Sequence, residues 1–568
     1  MKRTFISAAA VLAFAATAAH ADELGDIQAQ AKQLREQNAA MTKRLADLEK
    51  RQKALEAQKE AAPTISPVDA MAADLPYKAA VKARPPENDD ICIKGICVYG
   101  NFDMGIDYQQ HGTPFNALAG GPLNYMVEKA SNGSYFGVAA NQMSTSFIGL
   151  RGKQEIGDNL YAVFNLQTLF NPASGMNANQ LGGFQQNNGL GQSPQLGGGF
   201  ANSYGDSSKG GEMFNNAAYF GVSSPTYGTF TMGRQSALSS DLVVNYDALS
   251  GSNAWSLLTF EGASGGGGDT EDRIYDNSYE YRLNVGPVRL AVEAQLRNGG
   301  NSATNNAFEG DLGFDYMGFS MDFVGGHISD ALVLPATMSS SQVALLSANQ
   351  ASATGNGVGY TIPCSLGCMS GIVSDNTVFQ VAARYTIGPW KFYGGYEHVQ
   401  YQNPNNALAP GAFIYAGYNL AFVNNNFYAQ DKNLNVFWIG AKYSITPTLD
   451  IAASYYGQRA GYFQVGSGIP TGQYSNVPGA GPAPGNQAAA CAANSAASAG
   501  CAGGQDMVSV AMDWRFARHV DMYAGVAWNQ KFGGFASGTM LSTANGTPGV
   551  MNTHISTFDP GIGLRYQF

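Results

Sequence analysis

The sequence predicts an all-β chain: a 16-stranded antiparallel transmembrane β-barrel preceded by a short α-helical coiled coil. Its last residues alternate, with Phe568, Tyr566, Leu564 and Ile562 on one face and Gln567, Arg565, Gly563 and Gly561 on the other. Fifteen earlier runs of period two stand between Val98 and this one, which makes an even number of strands. Past the first 21 residues there is no uninterrupted apolar run of about 18 residues, so a membrane crossing by helix is excluded. Lipid cannot satisfy a bare sheet edge, so strands that cross it must close on themselves.

Composition points the same way. Among 568 residues there are 70 glycines, charged residues make up only 13% and mean hydropathy is −0.15, an unusual mix for soluble domains. It suits a wall whose two faces average out and whose connections are rich in Gly, Asn and Ser. The formal charge of −10 argues against nucleic acid as a partner.

Residues 1–21 read as a secretory signal: Lys2 and Arg3, an apolar run from Phe5 to Ala19, then the small-x-small site Ala19-His20-Ala21. From Leu24 to Leu55 a heptad holds, with Leu24, Ala31, Asn38, Leu45 and Gln52 at a and Ile27, Leu34, Met41, Leu48 and Leu55 at d. The expectation for 22–60 is a coiled coil, whose seam one chain cannot bury alone, with Asn38 and Gln52 fixing register. Residues 61–90, with Pro63, Pro67, Pro76, Pro85 and Pro86, read as a linker. The barrel is assigned 91–568.

Within it the runs are Val98–Tyr108, Thr145–Arg151, Leu160–Leu166, Ala217–Ser223, Thr229–Gly233, Asn277–Val285, Val288–Arg297 and Asp311–Tyr316. Phe319–Gly325, Val378–Ile387, Trp390–Glu397, Val436–Tyr443, Thr448–Gly457, Met507–Phe516, Val520–Asn529 and the terminal strand complete the set. Short turns such as Gly286-Pro287, Gly388-Pro389, Thr446-Pro447 and Ala517-Arg518 follow even-numbered runs, whereas long Gly/Asn-rich segments follow most odd ones. That segregation of loops to one rim belongs to a membrane barrel and has no reason to occur in a soluble sandwich. Tyr108, Tyr281, Tyr316, Tyr385, Trp390, Trp438, Trp514 and Trp528 end runs, where a wall meets lipid headgroups.

Six cysteines fall as neighbouring pairs, Cys92 with Cys97, Cys364 with Cys368 and Cys491 with Cys501, and read as local disulfides with other connectivities formally open. Zinc is disfavoured, because no Cys-x-x-Cys occurs and no His lies near a pair. No metal or cofactor is expected.

Val98 to Asp103, Ser146 to Gly152, Ala217 to Val222, Gly228 to Gln235 and Asp276 to Tyr281, followed by the terminal Phe568, resemble in order the strands of the Gram-negative general porins. The resemblance implies an outer-membrane trimer of 16-stranded barrels that passes small hydrophilic solutes by diffusion. It also implies contact with outer-membrane lipid and lipopolysaccharide, and a barrel-assembly machinery that reads the strand ending in Phe568. In the family a third long loop folds into the lumen and sets acids against wall arginines. Here that loop spans 235–272 and offers Asp241, Asp247 and Glu261, while Arg234 and Arg273 match the family's wall basics in position. Where enterobacterial relatives have basic residues in the first two strands, this chain has Asn101 and Phe147. Strict alternation puts Arg234 on the lipid side with Phe230 and Met232, so it reaches the lumen only if the strand ends or bulges at Gly233. Arg273 needs the same allowance. Arg151, Arg282, Arg289, Arg384 and Lys391 point inward by parity.

Opposed carboxylates and guanidinium groups in a narrow aqueous passage orient dipolar solutes and set ion preference. The leading expectation is a non-enzymatic general diffusion channel. A substrate-selective channel needs a dense one-sign lumen or an aromatic track, and the inward charges are mixed. An enzyme barrel needs a histidine in a catalytic motif, and His111, His327, His398, His519 and His554 sit in none. An envelope tether, touching the cell wall through the N-terminal segment, is the fourth reading.

Overall fold

Alternating side chains curl the chain into a wall with an apolar exterior. In the computed structural model, β1 (Ile96–Gln109) buries Tyr99, Asn101, Asp103, Asp107 and Gln109 and exposes Phe102, Met104, Ile106 and Tyr108. The structure describes residues 32, 91–93, 95–112, 125, 134–177, 213–259, 274–296, 306–333, 370–402, 414–415, 418–419, 422–425, 431–461, 502–533 and 554–568. The signal, coiled coil and linker expected at 1–90, and Glu261, Arg273, Cys364, Cys368, Cys491 and Cys501, lie outside them.

The wall has sixteen strands. β2 has two halves, Tyr135–Ala140 and Phe147–Gly157, both paired with β1 and separated by an inward excursion at 141–146. Then come β3 (Leu160–Asn171), β4 (Ala217–Ser224), β5 (Gly228–Ser236), β6 (Ile274–Val285), β7 (Val288–Gln295) and β8 (Ala307–Tyr316). β9 (Phe319–Val333), β10 (Ser370–Ile387), β11 (Trp390–Gln402) and β12 (Lys432–Thr446) follow. β13 (Leu449–Ala460), β14 (Gly503–Ala517), β15 (Val520–Gly533) and β16 (His554–Gln567) complete the wall. Each pairs antiparallel with its neighbour in sequence, and β16 returns to β1 with Tyr566 opposite Phe102 and Leu564 opposite Met104. Backbone bonds in both directions between Gly100 and Phe568, 2.8 and 3.1 Å, extend the seam to the last residue. Each of the sixteen expected runs overlaps one of these strands, although Thr145 and Ser146 fall in the β2 excursion and Thr448 in the turn before β13.

The rims differ as the parity of the connections requires. After even strands the chain turns in a few residues; Asp158-Asn159 and Met317-Gly318 both take two positive φ angles, the turn that suits the twist of antiparallel strands. After odd strands the connections are long. Among the described residues no helix is long and apolar enough to cross a membrane. Ile562, Leu564 and Tyr566 are exposed on the outside, and so are Trp390 and Trp514 near strand ends and Trp528 within β15.

Trp438 is a correction. It sits at an inward position of β12 and is 3% exposed, so it serves the lumen rather than the headgroup boundary. Before β1, a short strand Ile91–Ile93 folds back on Ile96–Val98, and Cys92 and Cys97, directly opposite, are joined as a disulfide.

Candidate functional site

The interior is organised by the connection from β5 to β6. Residues 237–258 lie inside the barrel, and all of them except Asn245 are buried. The local sequence Leu-Ser-Ser-Asp-Leu-Val-Val-Asn-Tyr forms helix α1 (Leu238–Tyr246), with Asp241 in its first turn, where a negative charge suits the helix dipole. Ala237 offers no side-chain cap. The wall caps both ends instead: Glu309 on β8 accepts from the Ser239 N–H at 2.9 Å and its Oγ at 2.6 Å. At the other end the Asn245 carbonyl accepts from Arg384 at 3.3 Å and the Tyr246 carbonyl from Trp438 Nε1 at 2.9 Å. Groups that a helix leaves orphaned at both ends thus find partners on the barrel wall.

Apolar packing and a chain of polar contacts carry the connection onward. Leu238, Leu242, Val243, Tyr246, Leu249, Trp255, Leu257 and Leu258 share one buried cluster with inward residues of β7 and β9–β15, among them Val378, Val436, Trp438 and Met507. Asp247 accepts from Tyr456 Oη at 2.6 Å and from the Gly251 N–H at 2.9 Å. Burial holds its carboxyl above the usual value of 3.8, and these hydrogen bonds pull it back down. Trp255 meets Tyr523 edge to face at 5.8 Å and lies over Gly525, whose missing side chain leaves room for the indole. The tip lands on the β2 excursion: the Gln142 carbonyl accepts from Ser252 Oγ at 2.8 Å and the Ala254 N–H at 3.0 Å, and the Asn141 carbonyl from Asn253 at 2.8 Å. The excursion is itself fixed by Asp103, which accepts from the backbone N–H groups of Met143 and Ser144 at 3.1 and 2.8 Å.

Acids and bases interleave around this element. Glu280, Glu293 and Glu309 stand directly opposite one another on β6, β7 and β8. Arg282 answers Glu280 and Asp241, both at 2.6 Å, tying the wall to α1. Arg289 reaches Asp322 at 2.5 Å and Tyr246 Oη at 3.0 Å, and also pairs with Asp315. On the far side Arg565 donates to Asp521 at 2.9 Å and Asp513 at 3.2 Å, and Arg515 to Asp450 at 2.9 Å.

The residues expected in the lumen divide into those that grip the third connection and those that stand away from it. Asp241, Arg282, Arg289 and Arg384 converge on α1 and its ends. Asp247 is 1% exposed and committed to the fold of the connection. Arg234 is turned in as Gly233 permits: Gly233 has φ +132°, the register shifts after it, and Arg234 is buried against Asp276 and the Asn215 carbonyl. Arg151 lies over the Tyr99 ring at 4.8 Å, and Lys391 is half-buried on the inner face of β11. Sequence reasoning missed the landing sites Gln142, Trp438, Tyr456 and Tyr523. Their signal was faint: large inward side chains beside Gly149, Gly395 and Gly563, where Cβ atoms would collide with Tyr99, Trp438 and Tyr523.

A family model described as Gram-negative porin matches residues 8–534. No curated protein matches the chain. Among solved structures it is similar to an anion-selective porin from Comamonas acidovorans, at 14% identity and TM-score 0.48, covering 83% of this chain and 99% of that one. It is also similar to OmpT of Vibrio cholerae, at 12% identity and TM-score 0.45, covering 84% and 100%. OmpF of Salmonella typhi in complex with daunomycin aligns at 13% identity and TM-score 0.40, covering 83% and 97%. With a family match over most of its length, this chain belongs to the Gram-negative porin family and is an outer-membrane channel for passive diffusion.

Proposed function

We propose that the channel is a general, non-enzymatic one, passing small hydrophilic solutes without a dedicated substrate, and that the connection between β5 and β6 sets its bore. The observation that carries this is the path of that connection, held by polar contacts from β8 round to β2. The mixed lumen charge, with Arg282 and Arg289 set among the acids of β6–β9 and further bases on β2 and β10–β12, favours a transverse field over selection of one sign. In this reading Asp241, Arg282, Arg289 and Arg384 fix the constricting element. Arg151 and Lys391 act on solutes beside it, with Asp247 as its internal brace and Glu261 and Arg273 completing the eyelet.

The working unit in this proposal is a homotrimer, with the short turns and the N-terminal segment on the periplasmic side. Three coiled-coil helices join beneath three barrels, where tethering raises their effective concentration to about the millimolar range. Liposome swelling with neutral sugars of graded size tests the general reading. Entry rates should fall smoothly with solute size and rise linearly with concentration. Saturable entry of one solute class, with the others excluded, would favour the substrate-selective alternative.

A further inference from the structure

Bases and acids in this lumen are mostly matched, and one group of bases is not. Lys391 on β11 and Lys442 on β12 stand directly opposite each other at inward positions. Arg384 on β10 is diagonal to Lys391, since its own partner is Tyr393 and that of Lys391 is Thr386. Cross-strand partners have Cβ atoms about 5 Å apart and diagonal neighbours about 7–8 Å, and like charges directly opposite are destabilising. Among the described residues neither lysine makes an ion pair or a hydrogen bond, and Arg384 spends one N–H on the Asn245 carbonyl.

The carboxylates whose charge reaches Lys442 are Asp450, Asp513 and Asp247. Each is engaged elsewhere: Asp450 by Arg515 at 2.9 Å, Asp513 by Arg565 at 3.2 Å, and Asp247 by Tyr456. All three cations are partly exposed, whereas the next inward residues away from the short-turn rim, Ala382, Tyr393 and Gly440, are buried. The third connection rests just above them, where Ala248 meets Gly440, two residues before Lys442.

We infer that Lys391, Lys442 and Arg384 form a binding site for an oxyanion, a phosphate or carboxylate group of a passing solute, at the short-turn exit of the constriction. Two ammonium groups with rotatable donors and a guanidinium at its edge suit a compact anion of either geometry, which would also relieve the repulsion between the lysines. This rests on the channel reading, because the ligand arrives through the passage.

The test uses purified full-length protein with inorganic phosphate, and with malonate in a parallel arm to separate a phosphate from a carboxylate source. In planar bilayers either anion should reduce the potassium chloride current of the wild type. The double variant Lys391→Gln, Lys442→Gln should need about tenfold more of it for the same reduction. Heat-denaturation midpoints provide an arm independent of current: the anion should raise the midpoint of the wild type and leave that of the variant unmoved. In anion-poor buffer the variant should be at least as heat-stable as the wild type, since a like-charge pair is gone. A response to either anion that the variant loses supports the site. No response to both, or an equal response in the variant, overturns it. Anion-dependent stabilisation in protein that carries no current would sink the channel reading and leave the site standing.

Discussion

Single residues in this lumen matter most where one side chain answers several. Arg282 serves Glu280 and Asp241, which are nearly buried, so Arg282→Ala leaves two carboxylates without their cation. Breaking a buried pair by removing one partner costs about 3–5 kcal/mol, and the low end applies because Arg282 is 25% exposed. A lower heat-denaturation midpoint in the variant is the expected outcome, and an unchanged midpoint would count against the tether. Asp247 gives a pH dependence of definite sign. Its carboxyl is raised by burial, so between 3.8 and its own higher value the folded chain holds a proton that the unfolded chain has lost. Stability from this group therefore falls as pH rises through that window and is flat above it. The midpoint of the wild type minus that of Asp247→Asn should shrink as pH climbs from about 4 and then level off. A difference that grows with pH contradicts the assignment.

At the scale of elements, β5 shows how one glycine re-aims a strand. Gly233 holds a positive φ, and a side chain there would meet the Ala218 carbonyl oxygen at 2.3 Å. Gly233→Val should flatten the bulge at a cost of about 1–3 kcal/mol and pull Arg234 away from Asp276. Loss of heat resistance comparable to that of Arg234→Ala would confirm the shared mechanism, and a silent substitution would refute it. Strands and rims were legible in the sequence because period two and turn residues are local signals. Arg234 was legible for the same reason: the alternation failed beside a glycine. The path of the third connection was not. Tyr456 and Asp247 are 209 residues apart and Gln142 and Ser252 110, so nothing local announces either contact. The apolar inward residues of β10–β14 did leave a trace, since Leu434-Asn-Val-Phe-Trp-Ile breaks clean alternation, and Trp438 within it was read as a boundary aromatic for want of its partner.

The whole molecule depends on closure at one seam and on what is docked inside it. Phe568 stacks on Tyr566 at 5.8 Å and lies 6.2 Å from Phe102, at the join of last strand and first. Phe568→Ala keeps the backbone bonds to Gly100 but loses this packing, and should lower the yield of assembled, heat-resistant barrel without changing synthesis. Normal yield would argue that the seam is sealed by backbone pairing alone. The central claim is that a docked third connection sets the bore of a passive channel, and single-channel recording of wild type beside Trp255→Ala tests it most directly. Removing the indole from its seat on Tyr523 and Gly525 should cost the docked tip about 3–5 kcal/mol. Wild type should then give steady, ohmic steps and the variant larger, noisier ones. Steps of the same size and noise in both proteins, or no steps in the wild type, would contradict the account.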